Sequence, residues 1–287
     1  MTDLRKGLID MHVHSAPDTR VRAYDDFQLM EAAIAVGARG IVIKSHNGST
    51  AERAFLCNRQ NAAIHGDNDF EMFGSITLNR QAGGLNPAAV EVAVKLGAKV
   101  VWLPTMSAVN HFQKHNKPVP DSAVEVVRGG QVVPELQDIF AIVKEADVVL
   151  GTGHISPEES FVVAEAARRA GVRKLVVTHP EWWLVGMSLE DQRRIVEEYG
   201  VLLERCYRQP MGGGVYQSNL ESNLACVQAI GYEHVLISTD SGQVENVHWE
   251  LGIQDYVNYL LDHGVPEEQV YYMTHTQQRK LLNLPLE

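Results

Sequence analysis

The run Gly7-Leu8-Ile9-Asp10-Met11-His12-Val13-His14 closes an apolar segment with two imidazoles one residue apart. In an extended strand alternate side chains leave on the same face, so His12 and His14 project together. Two neutral imidazoles in that relation can grip one divalent metal ion. An isolated His-x-His pair would be equally at home on a solvated strand. Metal chemistry gains weight because other ligand-type residues follow apolar runs further along: His154 after Val148-Val149-Leu150, His179 after Leu175-Val176-Val177, and Asp240 after Val235-Leu236-Ile237.

The elements that must position these residues follow from the hydrophobic rhythm. Short runs rich in Val and Ile alternate with longer segments of helical period, and no Pro/Ser/Gly linker divides the chain. Strands are predicted over Leu8 to His14, Gly40 to His46, Met72 to Asn79, Lys99 to Thr105, Val148 to His154, Lys174 to Pro180, Val201 to Cys206 and His234 to Asp240. Ser49 with Glu52, Ser156 with Pro157 and Glu159, and Ser188 before Asp191 mark helix starts. Gly37, Gly97, Gly171 and Gly200 mark helix ends, where a left-handed residue is needed. Eight βα repeats predict one α/β domain over residues 1–287, a (β/α)8 TIM barrel with an additional C-terminal helix over Pro266 to Leu284. Such barrels build their active sites at the carboxyl ends of the strands, where His12, His14, His154, His179 and Asp240 all fall.

Composition narrows the partners. The chain has 287 residues, of which 45% are hydrophobic and 21% charged, the pattern of a folded globular protein. A formal net charge of -11 argues against a broad grip on nucleic acid or on an anionic membrane surface. Three scattered cysteines, Cys57, Cys206 and Cys226, lack Cys-x-x-Cys spacing and point to a reducing cytoplasm. The charged start leads straight into the histidine motif, so no signal peptide is expected. No apolar run approaches the roughly 20 residues of a membrane span. The expected partner is a small-molecule substrate. A homo-oligomer is compatible with the chain, but no segment signals a specific interface.

The strand-end constellation of His12, His14, His154, His179 and Asp240 resembles that of the amidohydrolase superfamily of metal-dependent hydrolases. The tail Thr276 to Leu284 is similar to that superfamily's closing helix. The resemblance implies a divalent metal held by His12, His14, His154, His179 and Asp240, most simply zinc, with Mn, Fe or Co as alternatives. The chain departs from the binuclear members, because the fourth strand reads Val100-Val101-Trp102-Leu103-Pro104-Thr105 and lacks the bridging Lys or Glu. That departure suggests a mononuclear site, similar to the adenosine deaminase branch or the related decarboxylases, in which His179 serves catalysis instead of ligation.

Lys44, which follows Ile41-Val42-Ile43 with His46 two residues on, is costly to bury as a cation without a partner. It could bind a substrate carboxylate, form a carboxylated metal bridge, or make a structural ion pair; the first reading is preferred. A metal lowers the pKa of bound water to about 7 and polarises a carbonyl. Asp240 is then the expected proton acceptor, and His179 either completes the ligand set or stabilises the oxyanion. Asn79 and Thr105, at two other strand ends, and His46 are candidate substrate contacts.

The expected function is hydrolysis of an amide, lactone or ester-like bond in a small polar, anionic substrate. Decarboxylase or other lyase chemistry on the same site is the alternative. A phosphoesterase comes third, and a catalytically silent metal- or ligand-binding barrel is the non-enzymatic reading. Four further segments carry weaker expectations. Thr105 to Val133, with His111, His115 and Lys117, is read as a lid or a solvated loop. Gly212-Gly213-Gly214 lacks the remainder of a phosphate-binding motif and is read as a flexible loop. Arg20 and Arg22 could reach an anionic substrate but are more simply read as facing water, and Cys206 is read as a small buried apolar residue.

Overall fold

The computed structural model describes residues 3–286. Among them, eight parallel strands form one sheet in sequential order. They are β1 (Ile9–His14), β2 (Gly40–Lys44), β3 (Glu71–Thr77), β4 (Ala98–Trp102), β5 (Val149–Gly151), β6 (Leu175–Val177), β7 (Leu202–Cys206) and β8 (Val235–Ser238). With a helix after each strand this is the expected (β/α)8 fold. All six residues of β1 and all five of β2 are buried, as in a parallel strand covered on both faces. Every predicted strand is found, yet most end two or three residues short of prediction. The polar residues at those ends lie beyond the ladder.

Two compact units account for the packing. The first holds the chain up to Lys44, Thr50–Gly74 and the chain from Arg205 onward; the second holds Ser45–Ser49 and Ser75–Glu204. In the first unit β1 pairs with β2 in parallel, with His14 opposite Lys44, and Val13 bridges Ser241 just beyond β8. In the second, β4 pairs with β5, β5 with β6 and β6 with β7, all in parallel.

Local signals explain most helix boundaries. Ser156 and Glu159 form a capping box on the helix Pro157–Ala170, and the Ser188 side chain accepts from Asp191 N at the start of Leu189–Tyr199. Gly171 and Gly200 close these helices in the left-handed conformation. The N-cap position of the helix Ala51–His65 is Thr50 and not the expected Ser49. The Thr50 hydroxyl donates to the Ile43 carbonyl at the end of β2, 2.7 Å away.

The C-terminal helix is not continuous either. Glu267–Tyr271 and Gln277–Leu282 flank a π turn over Tyr272–Thr276. There the Thr274 hydroxyl bonds back to the Val270 carbonyl at 2.7 Å, a habit of Ser and Thr that loosens helices.

The segment Thr105 to Val133 contains a helix, Val109–Lys114, and a two-stranded hairpin, Val127–Arg128 with Gln131–Val132. The glycine cluster is likewise structured: Gly212 and Val215 end the antiparallel strands Arg208–Gly212 and Val215–Ser218. Among the described residues no helix is long and apolar enough to cross a membrane.

Candidate metal centre

Backbone pairing at the ends of β1 and β8 assembles the centre of the first unit. Asp240 N donates to His12 O at 2.9 Å, and His14 N donates to Ser241 O at 2.8 Å. The registers thereby bring the side chain of Asp240 onto the face that carries both histidines. Asp240 Oδ1 lies 3.3 Å from His12 Nε2 and 3.1 Å from His14 Nε2, and all three residues are buried. Asp240 adopts a left-handed φ of 51°, a conformation an aspartate tolerates better than most residues. Gly242 follows with φ +112°, and a Cβ there would collide with the His14 carbonyl.

Charge favours ligation. Burial opposes ionisation of Asp240, but the influence of His12 and the hydrogen bonds from both imidazoles outweigh it and hold the carboxyl well below the ordinary range. His14 is pushed down to about 3, first by burial and then by the Arg22 charge, so at neutral pH it is an uncharged imidazole. Donors held at about 2.1 Å in a tetrahedral site stand roughly 3.4 Å apart. The separations around Asp240 Oδ1 are close to that, and two imidazoles with a carboxylate form a donor set suited to zinc and its neighbours. The residues present fit a divalent metal.

Four further residues shape this cluster. Lys44, 1% exposed, places Nζ 2.9 Å from His12 Nε2. Cys206 Sγ is 4.0 Å from His12 Nδ1 and joins His12 and Asp240 in one buried group of potential metal donors. Cys206 is therefore buried as expected, but in the metal cluster.

Arg22 does not face water. Its side chain is 3% exposed, pairs with Asp18 at 2.6 Å, and sets Nη2 3.3 Å from His14 Nδ1. Asp10, which the sequence reading passed over, accepts from His12 N (3.0 Å), Thr239 N (3.3 Å), Thr239 Oγ1 (2.6 Å) and Trp249 Nε1 (2.9 Å). Burial pushes Asp10 up to about 6 against the pull of those donors, leaving it ionised at neutral pH. It clamps together the strands that present His12 and Asp240.

The second unit gathers the other predicted residues. His154 Nδ1 lies 3.1 Å from His111 Nδ1, and its ring centroid is 5.0 Å from that of His179. His179 stacks on Trp182 at 4.0 Å and carries a left-handed φ of 29°. Strained backbone at a candidate functional residue is where such cost is usually met. His46 Nδ1 is 2.9 Å from Thr105 Oγ1. Asn79 accepts from Thr105 N and Ser107 N, and donates to His46 O and Thr105 Oγ1. Its amide is fully used in shaping these loops, so in this state Asn79 positions His46 and Thr105.

A family model described as "Family of unknown function (DUF6282)" matches residues 7–204, which include β1 and most of β7. The chain belongs to DUF6282. No curated protein matches it.

Solved structures similar to the DUF6282 chain include an amidohydrolase from Pseudomonas aeruginosa, 13% identical, with a TM-score of 0.64 over 98% of this chain and 97% of that one. An organophosphorus hydrolase from Deinococcus radiodurans is 15% identical, with a TM-score of 0.60 over 98% and 94%. A 2,6-dihydroxybenzoate decarboxylase from Rhizobium is 13% identical, with a TM-score of 0.57 over 97% and 99%. At such identities the likeness is one of fold, and at that level the expected resemblance to the amidohydrolases is borne out.

Two signals for the missed residues lay in the DUF6282 sequence. Asp10 stands in the same alternation as His12 and His14, and Asp18 precedes Arg22 by four residues.

Proposed function

We propose that this protein is a cytoplasmic metal-dependent hydrolase that cleaves an amide, lactone or ester-like bond in a small anionic substrate. The observation that carries this reading is the convergence of His12 Nε2 and His14 Nε2 on Asp240 Oδ1. A bound divalent ion, taken here as zinc, would supply Lewis acidity and a water of lowered pKa. His12, His14 and Asp240 would hold it. His154 and His179, in the second unit, stand at strand ends, where this fold carries its active site. His154 serves as a ligand, and His179 as a ligand or an oxyanion donor. Asp240, ionised and buried, accepts the proton of the attacking water and returns it to the leaving group. Lys44 places positive charge beside the reacting centre, where it can meet a substrate carboxylate. His46 and Thr105 border the substrate.

The test is metal analysis of protein purified without added metal, followed by turnover of amides, lactones, phosphoesters and carboxylic acids. One bound divalent ion with metal-dependent hydrolysis supports the proposal. Release of CO2 without hydrolysis would replace it with the lyase reading, and failure to bind metal on reconstitution would remove it. Loss of metal in His179→Ala identifies a ligand; lost turnover with metal retained identifies an oxyanion donor.

A further inference from the structure

Arg22 meets the metal cluster at the ring nitrogen of His14 that does not face Asp240. Its side chain is nearly sealed from solvent, and both Nε and Nη2 donate to Asp18 Oδ2, at 2.7 and 2.6 Å. Nη2 also lies 3.3 Å from His14 Nδ1. The backbone keeps the arginine in this place. Arg22 bridges Gln243, and Ala23 N donates to the Gly242 carbonyl at 2.9 Å, so the loop after β1 is pinned to the segment that follows Asp240.

A guanidinium carries N–H donors and no acceptor. One proton of Nη2 serves Asp18, which leaves the other for His14. Nδ1 of His14 must then supply a lone pair, and the proton of the neutral ring sits on Nε2, 3.1 Å from the Asp240 Oδ1 that accepts it. Both contacts of the ring call for the same tautomer. It is the reverse of what a metal ligand needs. Metal-bound histidines donate the proton of their second nitrogen to a carboxylate, carbonyl or water, which frees the first nitrogen for the ion and raises its basicity. In His14 the nitrogen that faces Asp240 is the protonated one.

Building on the metal centre of the hydrolase reading, we propose that Arg22 is a positioning residue that holds His14 in the Nε2–H tautomer and so sets the metal affinity of the centre below what its donors would otherwise give. Loading requires the proton to leave Nε2 and return through solvent to Nδ1. That nitrogen then meets Arg22 donor against donor, and the contact must open. Arg22 has room to withdraw, because it lines a cavity of about 410 Å³ together with Gln243, Val244 and Tyr216. Asp18 remains its partner throughout. The arginine thus acts on the ion through His14 and takes no part in the reaction itself.

Nitrogen-15 NMR of histidine-labelled full-length protein, stripped of metal with EDTA, reads the tautomer, because a protonated and a bare ring nitrogen resonate far apart. His14, assigned by the signals missing in His14→Gln, is expected to carry its proton on Nε2. In Arg22→Met the proton should shift toward Nδ1. Zinc affinity, measured by competition with a chromophoric chelator, should then rise roughly tenfold, the scale of one charge-assisted hydrogen bond. Asp18→Asn/Arg22→Met, which leaves no buried carboxylate behind, should show the same gain. A residue that merely supports the fold would give the opposite sign, since removing one usually weakens the metal.

A wild-type His14 that carries a proton on Nδ1 would overturn the proposal, and that spectrum decides even where neither variant folds. Unchanged or weaker zinc binding in both folded variants would overturn it as well. Because the tautomer is read without metal or turnover, failure of the hydrolase reading leaves it in place, and a wrong tautomer leaves hydrolysis in place; the two can fail separately.

Discussion

Lys44 Nζ lies 2.9 Å from His12 Nε2, the ring nitrogen that also faces Asp240. A metal on His12 would use the lone pair of this nitrogen, and a lysine ammonium, which carries only donors, cannot share that place with it. Lysine and metal therefore compete for one atom. Lys44→Met, which keeps the stem and loses the nitrogen, is expected to retain one equivalent of metal and bind it more tightly by up to about tenfold. His12→Ala should lose the metal. Equilibrium titration with a chromophoric chelator measures both. Weaker binding in Lys44→Met, or loss of one of two equivalents, would instead make Lys44 part of the metal-holding set.

Asp10 contributes through its neighbours. It binds the His12 amide, the Thr239 amide and hydroxyl, and the Trp249 indole, and so fixes two strand ends at once. Asp10→Asn turns one acceptor into a donor facing donors. The expected cost is about 1–3 kcal/mol in stability, read from denaturant unfolding. Metal affinity should also fall roughly 10–100-fold, the usual effect of removing a residue that orients a ligand. Trp249→Phe removes a single donor and should lower metal affinity less. Unaltered metal binding in Asp10→Asn would mean that the clamp is irrelevant to the centre.

Gly242 is constrained twice, by φ +112° and by the His14 carbonyl, which occupies the place a β-carbon would take. Gly242→Ala must shift the end of β1 or the backbone after Asp240. A loss above about 1 kcal/mol is expected from the conformation alone, and the displaced carbonyl adds to it. Because His14 moves with that carbonyl, metal content should drop together with the melting temperature. A variant as stable as the wild type and fully loaded with metal would show that this close approach is not needed.

How much of this was legible depends on what each residue's neighbours reveal. Val, Ile and Leu runs located all eight strands, and alternation along β1 put His12 and His14 on one face before any coordinates. Asp240 was legible because it ends such a run. Asp10 was not read, since an acid inside an apolar segment gives no hint of four donors arriving from residues 12, 239 and 249. Cys206 could not be separated from an ordinary core thiol, because what distinguishes it is the Nδ1 of a histidine 194 residues away. Gly129-Gly130, both left-handed, is a hairpin signature that the lid reading of Thr105 to Val133 passed over. Ser49 with Glu52 had the spacing of a capping box, but the helix starts one residue later, and the Thr50 hydroxyl is drawn to Ile43.

Cys57 gives a pH test at a residue outside the metal cluster. It lies in the helix Ala51–His65, 1% exposed, and its thiol is pushed up to about 12 by burial and by the Asp26 charge, against the opposing pull of Arg53. An unfolded cysteine ionises near its ordinary value of 9. Between pH 9 and 12 the unfolded chain therefore releases a proton that the native protein keeps at Cys57. Through this group stability must fall as pH rises across that window, and it is unaffected below it. Cys57→Ala should flatten the decline in unfolding free energy between pH 9 and 11 relative to wild type. All three cysteines are free and buried, so a thiol reagent at pH 8 should label none of them before denaturant is added. Rapid labelling of native Cys57 at pH 8, or parallel pH profiles for wild type and Cys57→Ala, would show that this thiol is neither shielded nor shifted.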